Sequence, residues 1–475
     1  MVISNEEKPA IPGAVELELL AAVQGGQTLA RLEGQVVFVQ GGIAGEIVQV
    51  DGLGRRRGYL EGEAHSLVRA STARVVPPCP YFGENGRKRG ALHAPTLPEG
   101  LVCGGCQYQH IEYQGQLDLK YTVLRDTLRR VGKIVDPPVG EMEGSPSPYH
   151  YRNKATWLVT DEGELAYHEA RSHRAVSIHE CHLLSPPVRA IFDALSSASA
   201  DIGLAGLVRS LEVRSLPDLD GSDAGALVLD LAPSTTSHEA EALAEALAEC
   251  CPTIRSVARR VPFAPVGLPD EQAQAHILFG PPRTEVMILG ERLSLSPTSF
   301  FQVNLPVAEA IARHVLEQCG MVAGKQALDV YSGVGIFTIP LARQADAVVS
   351  LELDGGAVAD ARLSVGAAGL ENVTLLQGDA AANLKAILPG AMHCVIVDPP
   401  RTGCSSEALR QLARIKAPRL VYVSCDAATL ARDLRVLLDF GYELDSVRPF
   451  DIFPQTAHIE SVSSLRLPKK RKVRT

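Results

Sequence analysis

Apolar and polar positions along this chain change rhythm twice, and each rhythm predicts a different architecture. From Ala14 to about Val76, short apolar runs alternate with glycines. Strands are predicted at Glu16–Ala22, Gln35–Val39 and Glu46–Val50, with Gly25, Gly26, Gly41, Gly42 and Gly45 between them. Short strands with glycine turns and no helical period fit a small β-barrel of the oligonucleotide-binding kind, or a generic small β-domain. From Pro77 to Gly290 the pattern is mixed: Leu207–Arg214, Ala226–Leu231 and Ser256–Val261 read as strands, and Glu239–Glu249 carries alanines and leucines at helical spacing. From about Leu293 to Arg466, β-type runs at Ala327–Val330, Ala347–Leu351, Val373–Leu376, Cys394–Val397 and Leu420–Val423 alternate with helical stretches. That rhythm predicts an α/β fold, a parallel sheet covered by helices on both faces. The predicted domains are therefore 12–76, 77–290 and 291–475.

Composition changes this picture only locally. With 475 residues, 46% hydrophobic, the chain is too long for one ordinary core. A formal charge of -9 argues against a general polyanion binder, so any nucleic-acid contact must be local. Two basic runs could supply it, Arg55, Arg56 and Arg57, and Lys469, Lys470, Arg471, Lys472 and Arg474 near the C-terminus, while Arg87, Lys88 and Arg89 read as a basic loop inserted between Cys79 and Cys103. Each is equally readable as a solvated loop or tail. The polar, acidic start and the lack of any long apolar run predict a cytoplasmic protein without a membrane partner. Its ten cysteines should then stay reduced, so clustered ones read as metal or cluster ligands or as catalytic thiols. Cys250 and Cys251 are adjacent, a poor arrangement for one metal, and are read as core packing.

In open α/β sheets, ligands bind at the carboxyl ends of the strands. The first strand of the last segment runs into Asp329-Val330-Tyr331-Ser332-Gly333-Val334-Gly335 and then a helix from about Ile336 to Arg343. Such a turn serves several nucleotides. Glu352, about twenty positions on, is placed for a ribose, and Asp379 for an adenine amino group. Thr338 stands where a dinucleotide fingerprint has its third glycine, which favours a smaller adenosyl ligand such as S-adenosylmethionine over NAD. The fourth strand ends in Asp398-Pro399-Pro400-Arg401, where Asp398 can hydrogen-bond a planar base, and the fifth in Ser424-Cys425. Taken singly, a strand-end cysteine is as well a small core residue. One chemistry does require it: a thiolate adding to carbon 6 of uracil makes carbon 5 nucleophilic toward a sulfonium methyl. The proton on carbon 5 must then be removed by a base, for which Glu460 is the candidate.

With those residues in view, the chain resembles the RNA uracil-5-methyltransferase family. The resemblance is carried by Ser299-Phe300-Phe301-Gln302-Val303-Asn304, the Tyr331–Gly335 loop, Asp398-Pro399-Pro400-Arg401-Thr402-Gly403, Ser424-Cys425 with Thr429–Asp433, and Phe453-Pro454-Gln455-Thr456 with His458 and Glu460. It implies a Rossmann-like S-adenosylmethionine-dependent methyltransferase domain preceded by an RNA-binding TRAM barrel and a central domain with a cysteine cluster. Gln302, Tyr331, Glu352 and Asp398 would bind the cofactor or shape its pocket, with Asp379 in a polar role and Phe300 as a pocket aromatic. Cys425 would be the nucleophile and Glu460 the base. Ile336 stands where some relatives have Asn, so no contact is expected there.

The resemblance also implies that Cys79, Cys103, Cys106 and Cys181 ligate a 4Fe-4S cluster. A structural zinc is the alternative for four cysteines. Here Cys79 and Cys103 are separated by a longer segment, Pro80–Val102, than the family's usual spacing. The implied substrate is RNA, with 23S ribosomal RNA favoured, and no obligate protein partner is indicated. Transfer RNA, or a non-catalytic RNA-binding or ribosome assembly role on the same fold, are the alternatives.

Overall fold

The protein is described here from a computed structural model covering residues 11, 13–83, 102–260 and 275–468. The basic runs at Arg87–Arg89 and Lys469–Arg474 lie outside the described residues. Contacts divide the chain into two compact units. One comprises Met1–Leu124, Ala166–His182 and Phe453–His458; the other comprises Arg125–Leu165, Leu183–Ile452 and Ile459–Thr475.

In the first unit, β1 (Val15–Ala22), β2 (Gln27–Leu32), β3 (Gln35–Gln40), β4 (Ile47–Arg56) and β5 (Tyr59–Arg69) close a barrel in the order β1-β2-β3-β5-β4. Period-two alternation drives it: Leu17, Leu19, Val37, Val39, Val48 and Val50 point into the core, while Glu16, Glu18 and Gln49 face out. The sequence pattern located β1, β3 and the start of β4. It missed β2 and β5, whose polar residues and glycines break up the apolar runs. Arg55, Arg56 and Arg57 are exposed at the β4–β5 turn. Beside the barrel, Glu46 is fully buried and holds Arg74 through both oxygens, at 2.6 and 2.7 Å. It also accepts the amides of Ile43 and Ser71.

Beyond the barrel, α1 (Tyr113–Arg130) is followed by β6 (Lys154–Val159), β7 (Leu165–His168) and β8 (Ala175–Ser177), of which β7 and β8 pair as an antiparallel hairpin. In the second unit β6 pairs with β9 (Val208–Pro217), which pairs with β10 (Asp223–Leu231); β11 (Ile254–Arg259) runs parallel to β10, and β12 (His276–Phe279) closes the edge. The helices α2 (Pro186–Ala198) and α3 (Ser237–Cys250) pack on these strands. Helix α3 starts at a capping box between Thr236 and Glu239, which satisfies amides that a helix N-terminus otherwise leaves open. Cys251 is buried behind it, as expected of a packing residue.

A hairpin of β13 (Thr284–Ile288) and β14 (Glu291–Leu295) and helix α4 (Leu305–Cys319) lead into the last sheet. Its strands are β15 (Gln326–Val330), β16 (Ala347–Glu352), β17 (Val373–Gln377), β18 (Cys394–Val397), β19 (Arg419–Ser424), β20 (Glu443–Phe450) and β21 (Glu460–Arg466), in the order β17-β16-β15-β18-β19-β21-β20. The intervening helices are α5 (Thr338–Ala342), α6 (Gly355–Ala367), α7 (Ala380–Leu384), α8 (Ser406–Ile415) and α9 (Ala427–Asp439). The first five strands in chain order are parallel, each within about a residue of its sequence-predicted bounds. Strand β21 alone runs against them, antiparallel to both β19 and β20, a feature that the rhythm of alternating strands and helices did not reveal. Among the described residues no helix is long and apolar enough to cross a membrane.

The Glu46–Arg74 pair gives a test of the first unit. Removing one partner of a buried ion pair strands the other charge, at a cost of about 3–5 kcal/mol. Glu46→Ala should therefore accelerate hydrogen exchange of the β1–β5 amides by orders of magnitude; unchanged exchange would show that the pair is dispensable.

Candidate functional site

The loop after β15 is set by buried polar groups. Asp329, with no exposed surface, accepts the Thr338 hydroxyl at 2.6 Å, tying the strand to the first turn of α5. Tyr331 follows with a φ of +65°, a left-handed conformation rarely adopted by an aromatic residue, and its amide donates to the Leu351 carbonyl of β16. Gly333, at φ +53°, and Gly335, at φ +93°, make two further sharp bends. Glu352, at the end of β16, reaches back to the loop: its carboxylate accepts the Gly333 amide at 2.8 Å and the Leu353 and Asp354 amides at 2.7 and 2.8 Å. Asp379 is exposed and caps α7 through the Ala382 amide. Ile336 is partly buried and offers no polar group.

The segment Ser296–Asn304 is held by strand β9, helix α6 and Asn153. Arg214 of β9, nearly fully buried, donates to the Ser299 and Ser296 carbonyls at 2.7 and 2.8 Å. Asp360 of α6, also buried, accepts the Ser296 amide and the Ser299 hydroxyl at 2.6 Å each, and pairs with Arg283. Asn153 donates its side-chain amide to the Gln302 carbonyl, and its backbone amide to the Val303 carbonyl. Within this segment Phe301 is the core anchor, whereas Phe300 is 70% exposed. Sequence reasoning picked out Gln302 and Phe300 but not Arg214, Asp360 or Asn153. Their signal is burial of a charged or amide side chain, which appears only after folding.

Strand topology brings Asp398, Cys425 and Glu460 together. Asp398 follows β18 and Cys425 follows β19, which is parallel to it. Strand β21 runs antiparallel to β19, with Ser461 opposite Ser424. One step beyond that pair lie Cys425 and Glu460, so the beginning of one strand meets the end of the other. Glu460 is buried, and burial, with Asp398 adding to it, holds its carboxyl well above the usual carboxylate range, while Arg401 opposes the shift. Burial, with Glu460 and Asp398 adding to it and Arg401 opposing, likewise pushes the half-buried Cys425 thiol up to about 11. Asp398 is raised to about 7 by burial and by the charges of Asp329 and Glu352. Three elements of the sequence thus meet in one electrostatic neighbourhood with Arg401 as the opposing cation.

In the first unit, Cys79, the Cys103–Cys106 loop and Cys181 converge from three segments. Burial and then the other three cysteines raise the Cys106 thiol, while the Gln109 side-chain amide donates to its sulfur at 3.2 Å and counteracts this. Gly105 donates its amide to the Cys103 sulfur at 3.4 Å, and the same Gln109 accepts the Cys79 amide through its oxygen. Gly104 lies against Ala170, where a Cβ would come within 3.1 Å of the Cα, and its amide donates to the His168 carbonyl of β7. Among the described residues no three His, Cys, Asp or Glu side chains are arranged to hold a single metal ion.

Comparison with known proteins bears on both units. The family described as tRNA (uracil-5-)-methyltransferase matches residues 292–467. An uncharacterized RNA methyltransferase of Gloeobacter violaceus is 32% identical, over 96% of this chain and 99% of its own. Another, from Halalkalibacterium halodurans, is 30% identical over 95% of this chain and 97% of its own. The crystal structure of Pyrococcus abyssi tRNA (uracil-54, C5)-methyltransferase in complex with S-adenosyl-L-homocysteine shares the fold, with a TM-score of 0.68 at 23% identity, over 94% of this chain and 100% of that one.

Asp329 supplies a pH test of the site. Burial raises it to about 7 in the folded protein. In the unfolded chain it ionises near its ordinary value, so the folded state binds the extra proton between about pH 4 and 7. The stability this contributes is full at low pH and falls as pH rises through that window, by about 1.4 kcal/mol per pH unit. Asp329→Asn keeps an acceptor for the Thr338 hydroxyl but cannot ionise. Melting temperatures at about pH 5 and 7.5 should show the variant gaining on the wild type as pH rises; parallel pH profiles would contradict the assignment.

Proposed function

The chain belongs to the RNA uracil-5-methyltransferase family, and we propose that it methylates carbon 5 of a uridine in 23S ribosomal RNA, with Cys425 as nucleophile and Glu460 as base. It is an S-adenosylmethionine-dependent RNA methyltransferase. The reading of the mechanism rests on one observation: the antiparallel β19–β21 pairing, which sets Cys425 and Glu460 side by side with Arg401 acting on both.

Bound S-adenosylmethionine supplies an electrophilic methyl on a positively charged sulfur. The carboxyl edge of the sheet suits such a cation, because the charges acting on Asp398 from Asp329 and Glu352 are both negative. Tyr331, Glu352, Asp379, Asp398 and Gln302 would hold it, with Glu352 also fixing the glycine loop. Cys425 gives its proton to solvent and its sulfur bonds to carbon 6 of uracil, and the electron pair displaced from the 5,6 double bond makes carbon 5 the nucleophile. After carbon 5 is methylated, Glu460 removes its proton and the bond to Cys425 breaks, restoring the double bond. A carboxyl that burial holds above its ordinary range is, once ionised, a stronger base for that step. Arg401 lowers the cost of charging both groups. The target base must be unpaired or flipped to reach Cys425.

The four cysteines Cys79, Cys103, Cys106 and Cys181 are proposed as ligands of a 4Fe-4S cluster, with zinc as the alternative. Their convergence and the N–H donors on two of the sulfurs fit ligation as thiolates. A cluster spreads its four sulfurs more widely than one zinc, whose Zn–S bonds are only about 2.3 Å. Iron and sulfide analysis of anaerobically purified protein should find about four irons per chain; one zinc and no iron would reverse the choice. The barrel, with its exposed arginine turn, is proposed to act as a TRAM-type RNA-binding domain in the cytoplasm. Transfer RNA is the second reading, favoured by the description of the matching family.

Labelled S-adenosylmethionine and unmodified bulk RNA test the reaction, with digestion and nucleoside analysis as readout. The expected product is 5-methyluridine in 23S ribosomal RNA; label in transfer RNA would move the substrate assignment, and none at all would leave an RNA-binding or assembly role. Cys425→Ala should abolish turnover with little change in cofactor affinity. Glu460→Gln should accumulate a denaturation-resistant protein–RNA adduct, since the covalent intermediate forms and its proton is not removed. Absence of that adduct would remove Glu460 from its role.

A further inference from the structure

The loop carrying Arg401 is gripped by the helix that starts beside Cys425. Helix α9 is capped by Asp426, whose side chain accepts the Ala428 and Thr429 amides at 3.0 and 2.9 Å. Thr429, Arg432 and Asp433 then share one face of this helix, at the spacing that brings side chains together. The Thr429 hydroxyl lies 3.2 Å from the Arg401 carbonyl, and Arg432 donates to the Thr402 and Cys404 carbonyls at 2.9 and 3.2 Å. Asp433 has no exposed surface. It accepts the Cys404 amide at 2.8 Å, the Tyr422 hydroxyl at 2.6 Å and the Arg432 guanidinium at 2.7 Å. The fit leaves no space at Gly403, φ +72°, where a Cβ would stand 2.5 Å from Arg432 and 2.6 Å from Asp433.

We infer that Asp433 is a positioning residue: through Arg432 and the Cys404 amide it fixes the Pro399–Cys404 loop, and so holds the Arg401 guanidinium toward Cys425 and Glu460. The inference rests on the reading of Cys425 as nucleophile and deepens it. A fully buried carboxylate is costly unless each of its bonds is made, and here all three serve this loop or the strand that carries Cys425. The charged groups acting on Cys425 are Glu460 and Asp398, both acidic, against Arg401 alone. Small displacements of that guanidinium should therefore be felt at the thiol.

The test is the pH dependence of Cys425 alkylation by iodoacetamide in the full-length protein, read by peptide mass, beside steady-state kinetics on unmodified RNA. Asp433→Asn and Arg432→Ala should both move the alkylation midpoint upward, in the direction given by Arg401→Ala. They should lower kcat by about 10-fold or more with KM for S-adenosylmethionine changed by less than about 3-fold. Arg432 is half exposed, so its variant should fold even if Asp433→Asn does not. An unmoved midpoint in the folded variants, with any loss of rate following thermal stability, would overturn the inference. Inactive wild-type protein would instead overturn the underlying reading.

Discussion

The site depends on one constraint, the antiparallel addition of β21 to an otherwise parallel sheet beside β19. Had this strand run parallel, its first residue would lie at the opposite edge from the ends of β18 and β19. Reversed, it delivers Glu460 to the edge where Asp398 and Cys425 already stand. Register matters as much as direction, since a one-residue slip turns every side chain of β21 to the other face. The pairing extends from Ser424 opposite Ser461 to Arg419 opposite Arg466, with Val462 and Leu465 in the core. Apolar burial along the strand thus specifies the position of a carboxyl at its end.

That arrangement gathers acidic groups where solvent is scarce. Asp329, Asp398 and Glu460 are all raised above the ordinary carboxylate range, each chiefly by burial. Grouped acids destabilise one another unless they are protonated or meet a cation. The surrounding sheet offsets the cost, since Val330, Val395, Ile396, Val397, Val421 and Tyr422 are almost wholly excluded from water. An edge with this charge distribution is suited to a positively charged ligand, and Arg401 is the protein's own contribution of opposite sign.

Support for the site comes from residues that have no place in the reaction itself. Arg214 and Asp360 hold the Gln302 segment from a central strand and from α6. Asp433 and Arg432 hold the Arg401 loop from α9. In each case a buried charge meets main-chain groups of an irregular segment, which would otherwise be left without partners. Loops that carry function are in this way made as well defined as the strands that flank them.

Much of this was legible in the sequence. Alternating apolar runs located the five parallel strands within about a residue, and three of the five barrel strands. Motifs and the family resemblance pointed to Gln302, Tyr331, Glu352 and Asp398 as candidates, and the residue types that a thiol adding to a base would require pointed to Cys425 and Glu460. Periodicity could not show the direction of β21, since a strand's apolar pattern reads the same whichever way it runs beside its neighbour. Nor could it show that Glu352 anchors its own loop, or that Arg214, Asp360 and Asp433 are buried, because charged side chains in a linear sequence carry no mark of their depth. Sequence by itself determined which groups are present and the strand ends on which most of them sit. Only tertiary structure decided which of them meet, because pairing direction, burial and the electrostatic coupling that follows are properties of neighbours distant along the chain.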